Sequence, residues 1–249
     1  MTDNSDSALQ TMPFSRTLSE QVASQLRRSI LNGQLKPGQR IVEREIADGM
    51  RLSRGPIRDA LKLLENEGLV VRYAHRGTFV AWLTLHDAEE IYSMREAIEM
   101  LAVDYTIKCA SDAQMAELDQ IVNQMEQRLS TTDYTQDDAT GLDLQFHEVL
   151  CRISGHDRVL SGWHSLQAQV RLLLLTHRIL QPVDFRERGV DSHRRLVIAL
   201  QRRDIAQAHE TLHQHLADSY ETMVSAIRSN NIQPPFEGEA ESGELEKWA

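Results

Sequence analysis

One aspartate and three histidines in the second half of this 249-residue chain are of residue types that bind transition metals and fall on inward faces of predicted helices. Asp143 and His147 lie one helical turn apart in "GLDLQFHEVL", beside an apolar stripe. His193 in "SHRRLVIAL" and His215 in "HQHLADSY" fall on the apolar faces of two later helices. Together they form an N₃O donor set for a divalent transition metal, and a cation would offset the cost of hiding Asp143. An inward-facing histidine is more often an ordinary core residue, so both interpretations stay open.

Three other residues could compete for this role. Cys151 lies one turn beyond His147, but such a cysteine is more often a small core residue than a ligand. His209 and His213 also have i, i+4 spacing, yet they fall on the acidic side of their helix. We therefore expect Cys151 in the core and the two histidines at the surface.

Several helices are needed to bring the four candidate ligands together. From residue 86 onward apolar residues recur at helical spacing, and the β-branched clusters typical of strands disappear. This pattern predicts an antiparallel α-helical bundle over residues 86–229, a fold that can build a metal or ligand site between facing helices. The helices are expected at about 86–110, 112–130, 135–154, 156–180, 184–202 and 204–229, with Pro182 between the fourth and fifth.

The first third of the chain predicts a winged helix-turn-helix over residues 16–83. Apolar spacing indicates a helix at 17–32, a turn in "LKPGQRI", a short helix in "VEREIADGM" and a third helix capped by Ser53 and ended by Gly68. The β-branched segment that follows predicts a hairpin around 74–77. The expected fold class is therefore mainly α.

Basic side chains in this module could contact DNA. Arg54 and Arg58 lie one turn apart on the outer face of the third helix, and arginine can bind guanine through two hydrogen bonds. Ser53 and the start of that helix suit a phosphate. Any surface helix can carry two arginines, so these residues alone do not establish DNA binding. The expected wing contacts come from the hairpin tip: His75, Arg76 and Gly77.

The charge distribution supports a nucleic-acid partner, although the net charge of the chain is −10. Residues 16–82 hold 12 Lys and Arg against 7 Asp and Glu, whereas the remainder holds 15 against 30. A basic segment on an acidic body is typical of nucleic-acid binding. Residues 1–15 are expected to form a disordered arm, and residues 230–249 a flexible acidic tail. Two cysteines, no secretory signal and no membrane-length apolar run lead us to expect a cytoplasmic protein without a membrane partner.

The segment from "LKPGQRIVEREIADGM" through "RLSRGPIRDALKLLENEGLVVRYAHRGTFV" resembles the signature of the GntR family of regulators over about 50 residues. The resemblance implies DNA contacts from Arg44, Arg54 and Arg58, and a wing contact around Gly77. Gly55 stands where the family usually has threonine, which implies one weaker phosphate contact. Asp59 in place of the usual glutamate is a mild departure.

Residues 87–225 resemble the FCD effector domain of FadR-type GntR regulators, and the six predicted helices are similar to its VanR-type branch. The resemblance rests on "REAIE" at 95–99, "DLQFHEVL" followed by "SGH", His193 and "HLADSY", and Gly155-His156 departs from the usual Gly-Asn. Many FCD domains hold one divalent metal with D-x-x-x-H, a later histidine and a final histidine 22 residues beyond it. The matching residues here, for which we expect zinc with nickel or another divalent metal as alternatives, are Asp143, His147, His193 and His215.

The same resemblance points Arg95 into the cavity beside the metal. An arginine fork and a cation together suit an organic carboxylate. The alternative is that Arg95 only pairs with Glu99 or Asp143, since ion pairs at this spacing are common.

Three functions are compatible with these features. The first is a transcription regulator that binds a palindromic double-stranded operator as a homodimer and responds to a small carboxylate metabolite. The second is a metal-dependent hydrolase, although no HExxH or comparable base is visible and an enzyme would not explain the basic module. The third is a constitutive DNA-binding protein with a structural metal.

Overall fold

The computed structural model describes residues 17–133, 135–180 and 186–229. The expected N-terminal arm, the acidic tail and Pro182 lie outside these ranges. Most of the described chain is helical, with one small antiparallel sheet near the N-terminus, so the mainly α expectation is confirmed. No helix within the described ranges is both long enough and apolar enough to cross a bilayer.

Three helices and three short strands form the N-terminal part. They are α1 (Leu18–Leu31), β1 (Arg40–Ile41), α2 (Glu43–Met50), α3 (Arg54–Asn66), β2 (Val70–Tyr73) and β3 (Gly77–Val80). Thr17 begins α1 with a capping box that it shares with Glu20. The inner face of α3 is fully buried, as its apolar spacing predicts, and consists of Ile57, Ala60, Leu61 and Leu64.

The sheet confirms the predicted hairpin and adds a strand that the sequence did not indicate. β2 and β3 pair antiparallel from Val70 opposite Val80 to Tyr73 opposite Gly77. The segment interpreted as a turn contains β1, which pairs with the other edge of β3. A strand of two residues is too short to show an alternating pattern. Its partner lies almost forty residues away, so the sequence around it carries no local signal.

Six helices follow and confirm the predicted bundle to within two residues at most ends. They are α4 (Leu85–Cys109), α5 (Asp112–Leu129), α6 (Gln136–Ile153), α7 (Asp157–Leu180), α8 (Arg186–Gln201) and α9 (Ile205–Ser229). Capping boxes that begin at Thr84, Ser111 and Thr135 fix the first turns of α4, α5 and α6.

Helix α7 also contacts the N-terminal module. The side chain of Gln169 lies against Gly68, where an added Cβ would come within 2.6 Å of its Nε2 atom. The Cδ1 atom of Leu175 lies 3.5 Å from the corresponding position at Gly33. Both glycines have positive φ, so each combines a left-handed turn with a close approach to α7. The two parts of the chain therefore meet along one helix.

Candidate metal centre and nucleic-acid interface

Asp143, His147, His193 and His215 come from α6, α8 and α9 and point toward one another. The Nε2 atom of His147 lies 3.2 Å from that of His215 and 3.4 Å from that of His193. The Oδ1 atom of Asp143 lies 3.5 to 4.0 Å from the three Nε2 atoms. One ligand atom from each residue lies within 4.8 Å of all the others. The structure thus brings the four predicted residues together.

Each histidine uses its other ring nitrogen to contact an oxygen. His147 Nδ1 lies 2.5 Å from Glu99 Oε2, and His193 Nδ1 lies 2.6 Å from the carbonyl oxygen of Gly189. Carboxylate and carbonyl oxygens only accept hydrogen bonds, so both Nδ1 atoms must carry the proton. His215 Nδ1 lies 2.8 Å from the hydroxyl oxygen of Ser192, which itself donates to the Gly189 carbonyl. His215 is therefore also a donor at Nδ1.

These contacts leave three Nε2 lone pairs and a carboxylate oxygen aimed at one small volume. Without a cation, lone pairs at 3.2 and 3.4 Å repel one another, because no proton lies between them. Ligands about 2.1 Å from a zinc ion would be separated by roughly 3.0 to 3.4 Å, close to the spacing of the histidines. The donor set and its outer contacts therefore fit a divalent metal.

Burial keeps two of the imidazoles in the neutral form that a metal requires. It lowers the pKa of His193 to about 4, despite the opposing attraction of Asp143. Burial also lowers the pKa of His215 well below its ordinary value, and the neighbouring His193 and His147 act in the same direction. Both residues offer an Nε2 lone pair at neutral pH, which favours metal binding.

Asp143 is less hidden than the sequence suggested, and this expectation needs correction. Its side chain is 25% exposed, whereas those of His147 and His193 are buried. The inner position on α6 next to His147 belongs to Phe146, whose ring packs edge-on against His193. Asp143 therefore lies at the rim of the cluster, where water reduces the cost of its charge.

Arg95 forms the ion pair of one alternative and keeps a buried donor that the other alternative would need. It is buried, and its Nε donates to Glu99 Oε1 at 2.6 Å, so the i, i+4 ion pair exists. Its Nη2 atom is also buried and has no hydrogen-bond partner among the described residues. Burial alone would raise the pKa of Glu99, but His147 and Arg95 together lower it to about 2. Glu99 is therefore an anion between two polar groups.

Other polar residues near Arg95 and the histidines were not identified from the sequence. The guanidinium carbon of Arg95 lies 5.5 Å from the ring centroid of Trp163, whose Nε1 is another buried donor without a hydrogen-bond partner in the described ranges. Tyr92 on α4 contacts Ser219 on α9 through their hydroxyls at 2.7 Å. Only the spacing of Tyr92 from Arg95 and of Ser219 from His215 could have indicated them, and neither spacing is specific.

The competing residues lie where they were expected. Cys151 is buried, and burial raises the pKa of its thiol. His209 and His213 contact Asp104 and Glu96 on α4 near the surface, away from the cluster.

His156 has a structural role. Its Nδ1 accepts a hydrogen bond from the backbone N–H of Val159 in the first turn of α7. An asparagine side chain could cap the helix in the same way.

The N-terminal module presents the predicted arginines to solvent. Arg54 is exposed, and the side chains of Arg44 and Arg58 are 74% and 56% exposed. Arg44 lies 3.5 Å from Asp48, and Arg58 lies 3.6 Å from Glu43, so neither ion pair is tight. Both pairs could exchange for a phosphate or base edge.

Ser53 occupies the N-cap position of α3 as predicted, but its side chain makes no capping hydrogen bond. The predicted cap is therefore incomplete, and the hydroxyl is exposed at the helix N-terminus, where anions are favoured.

The predicted wing residues lie at one end of the hairpin. His75 and Arg76 are exposed in the turn, and His75 has φ +62°. Gly77 has φ +107°, a conformation that requires glycine. The guanidinium of Arg40, on β1, lies 3.5 Å from the position that a Cβ would occupy at Gly77. Arg40 therefore adds a positive charge at the wing that was not predicted from the sequence.

Comparison with known proteins is consistent with both parts of this description. Residues 18–80 match the bacterial regulatory proteins of the gntR family, and residues 90–218 match the FCD domain. A transcriptional regulator GntR from Rhodococcus sp. RHA1 has a similar fold, with a TM-score of 0.70 and 23% identity over 84% of this chain and 98% of that one.

Two curated relatives are regulators. The chain is 36% identical to the HTH-type transcriptional regulator YdhC of Bacillus subtilis over 57% of its length and 62% of that protein. It is 28% identical to the gluconate operon transcriptional repressor of Bacillus licheniformis over 79% of its length and 81% of that protein. The chain belongs to the GntR family of transcriptional regulators and carries an FCD domain. The matched families and relatives are transcription regulators and not enzymes, which argues against the hydrolase alternative.

Proposed function

We propose that the protein is a metabolite-responsive repressor or activator whose DNA binding changes when a small organic acid enters the FCD domain beside a divalent metal. The observation that carries this proposal is the buried Nη2 atom of Arg95, which has no hydrogen-bond partner in the described chain. A buried guanidinium donor needs an acceptor, and a carboxylate that also binds the metal would supply one. One relative represses a gluconate operon, which links that protein to a hydroxycarboxylate.

The metal proposed for this site is zinc, with nickel or another divalent ion as the alternative. Three imidazoles and one carboxylate form a donor set that suits zinc and leaves room for a further oxygen ligand. When bound, the ion supplies a Lewis-acidic position for a ligand oxygen. Asp143, His147, His193 and His215 would hold the ion, and Arg95 would orient the ligand.

DNA binding is assigned to α3 and the wing. Arg54 and Arg58 would contact base edges, with Arg44 on a nearby base or phosphate, Ser53 on a phosphate, and His75, Arg76 and Gly77 at the wing. Helix α7 could transmit a change at the effector site to the DNA-binding module. It carries both Trp163 near Arg95 and Gln169 against Gly68.

A palindromic operator matches the two-fold symmetry of a homodimer. Met94 and Leu101, seven residues apart on α4, are 55% and 40% exposed and give this helix an apolar outer stripe that a second copy could cover. Light scattering of the free protein and of its DNA complex tests this. Two chains per particle are expected in both, and a monomer in both would contradict it.

The effector proposal is tested by measuring operator affinity by fluorescence anisotropy with zinc-loaded protein. A panel of small carboxylates is compared with the matching amides, which have similar shape but no charge. At least one acid is expected to change the dissociation constant while its amide does not. If no acid in a broad panel changes it, the effector proposal is contradicted and the alternative of a constitutive DNA-binding protein is favoured.

A further inference from the structure

The buried carboxylate of Glu99 contacts both Arg95 and the candidate metal ligand His147. Glu99 Oε1 accepts from Arg95 Nε at 2.6 Å, and Glu99 Oε2 accepts from His147 Nδ1 at 2.5 Å. All three side chains are at most 1% exposed. Each oxygen of this carboxylate therefore contacts one group, and burial shields both contacts from bulk solvent.

The three histidines differ in the charge of the group that contacts their Nδ1 atom. His193 is held by the backbone carbonyl of Gly189, and His215 by the neutral hydroxyl of Ser192. Among these outer contacts of the histidines, only that of His147 is to an anion. An anionic partner at Nδ1 fixes the ring and makes Nε2 a stronger electron donor. His147 should therefore contribute more to metal affinity than the other two.

The same carboxylate determines where Arg95 directs its remaining donors. With Nε on Glu99, the unpartnered Nη2 atom is left for a ligand. The other acidic group whose charge acts on Arg95 is Asp143. If Glu99 lost its charge, Asp143 would be the remaining carboxylate that attracts Arg95. Arg95 would then compete with the metal for the carboxylate of Asp143.

We propose that Glu99 is a positioning residue that couples metal binding to ligand binding, by orienting His147 toward the metal and Arg95 toward a carboxylate ligand. The ligand half of this inference rests on the proposed function, whereas the metal half needs only the contacts of Glu99. Coupling between two sites is reciprocal, so a carboxylate that strengthens zinc binding is itself bound more tightly when zinc is present.

The test is Glu99→Gln, which keeps the shape of the side chain and removes its charge. Zinc affinity is measured by competition with a fluorescent chelator, and the cobalt-substituted protein is compared by visible absorption. Glu96→Gln is the matched control, because Glu96 lies one turn earlier on α4 and contacts His213 outside the cluster. Loss of an outer-shell partner is expected to weaken zinc binding about 10- to 100-fold and to shift the cobalt bands, while the control changes neither.

Coupling is measured by repeating the zinc titrations in saturating acetate, with acetamide as the neutral comparison. Acetate is expected to strengthen zinc binding by the wild-type protein, and this ratio should fall toward one in Glu99→Gln. Should that variant fail to fold, Glu99→Asp retains the charge but is too short to hold both partners, and the same losses are expected.

The possible outcomes separate this inference from the proposed function. Zinc affinity and cobalt bands of Glu99→Gln equal to those of Glu96→Gln would overturn the role of Glu99 toward the metal. No effect of acetate on wild-type zinc affinity, or the same ratio in Glu99→Gln, would overturn the coupling. Failure of the carboxylate panel to change operator affinity contradicts only the proposed function, because these titrations do not involve DNA.

Discussion

The two parts of this molecule handle polar side chains in opposite ways. The winged helix-turn-helix keeps Arg44, Arg54 and Arg58 in solvent, and the ion pairs of Arg44 and Arg58 are long and weak. The FCD domain buries His147 and Arg95 and fixes each by a short contact to Glu99. A surface that must accept a large anionic partner can leave its charges hydrated, whereas a buried site must be organised before its ligand arrives.

This difference predicts how the two regions respond to substitution. In the bundle, removing one group leaves other buried polar groups without partners, so effects should be large and specific to the metal or ligand. On the proposed DNA-binding face, each arginine should act nearly independently, because water can hydrate the groups that a substitution leaves behind.

The largest effect is expected from His193→Ala combined with His215→Ala. Two of the four donors disappear, so the metal content of protein purified without chelators should fall from about one ion per chain to near zero. Elemental analysis measures this directly, and the zinc-dependent rise in melting temperature should vanish as well. His209→Ala with His213→Ala is the control, since those histidines contact only carboxylates of α4 in the described structure. Stoichiometric metal that persists in the first variant would place the site elsewhere.

A smaller effect is expected from substitutions of the solvent-exposed arginines in the winged helix-turn-helix. Arg54→Ala and Arg58→Ala should each weaken binding to the native operator by about 1–3 kcal/mol and relax specificity at one position of each half-site. Anisotropy titrations at fixed salt provide the measurement. Arg202→Ala, at an exposed position of the FCD domain, should have no comparable effect. Unchanged affinity in both variants would mean that α3 does not dock as proposed.

Gly68→Ala tests the junction between the two regions. Gly68 has φ +69°, and an added Cβ would lie 2.6 Å from Gln169 Nε2, so both the backbone and α7 oppose the change. The left-handed conformation alone should lower the free energy of unfolding by about 1–2 kcal/mol. Denaturant unfolding measures the loss.

Gly49→Ala is the opposite case, because nothing lies within 4 Å of its Cβ position inside α2. It should raise stability by about 0.5–1 kcal/mol. Adding Gln169→Ala to Gly68→Ala should recover only the part due to the contact with α7. Equal stabilities of Gly68→Ala and the wild type would show that alanine fits this left-handed position without strain.

The smallest effect is expected from Gly55→Thr at the start of α3. Space around the Cβ position is open, so the substitution should fit and raise stability by a few tenths of a kcal/mol, roughly the difference in helix propensity. A hydroxyl there should strengthen operator binding about two- to fivefold through one phosphate contact. Gly55→Ala separates the two effects, because it adds propensity without the hydroxyl. Weaker DNA binding by the threonine variant than by the alanine variant would rule out the phosphate contact.

Much of the fold could be predicted because its signals are local. The apolar spacing of α3 and of the six later helices, together with glycines at turns, identified those elements to within a few residues. β1 was missed because two residues carry no pattern, and their pairing with β3 depends on a distant part of the chain. Asp143 and His147 could be named in advance from their i, i+4 spacing, and His193 and His215 from their inward helix faces. Spacing alone left an ordinary core role open for the histidines, and the resemblance to FCD domains is what grouped the four residues as one expected ligand set.

The sequence by itself determined the helical pattern, the basic N-terminal segment and the residue types able to bind a cation, since each depends only on spacing and composition. Only the tertiary structure decided that three Nε2 atoms converge, that Asp143 lies at the rim, and that Glu99 joins Arg95 to His147. Those facts depend on where α4, α6, α8 and α9 cross, and crossing positions are determined by side-chain packing over the whole bundle. The proton positions on the imidazoles follow from the same packing, because it decides which oxygen each Nδ1 meets.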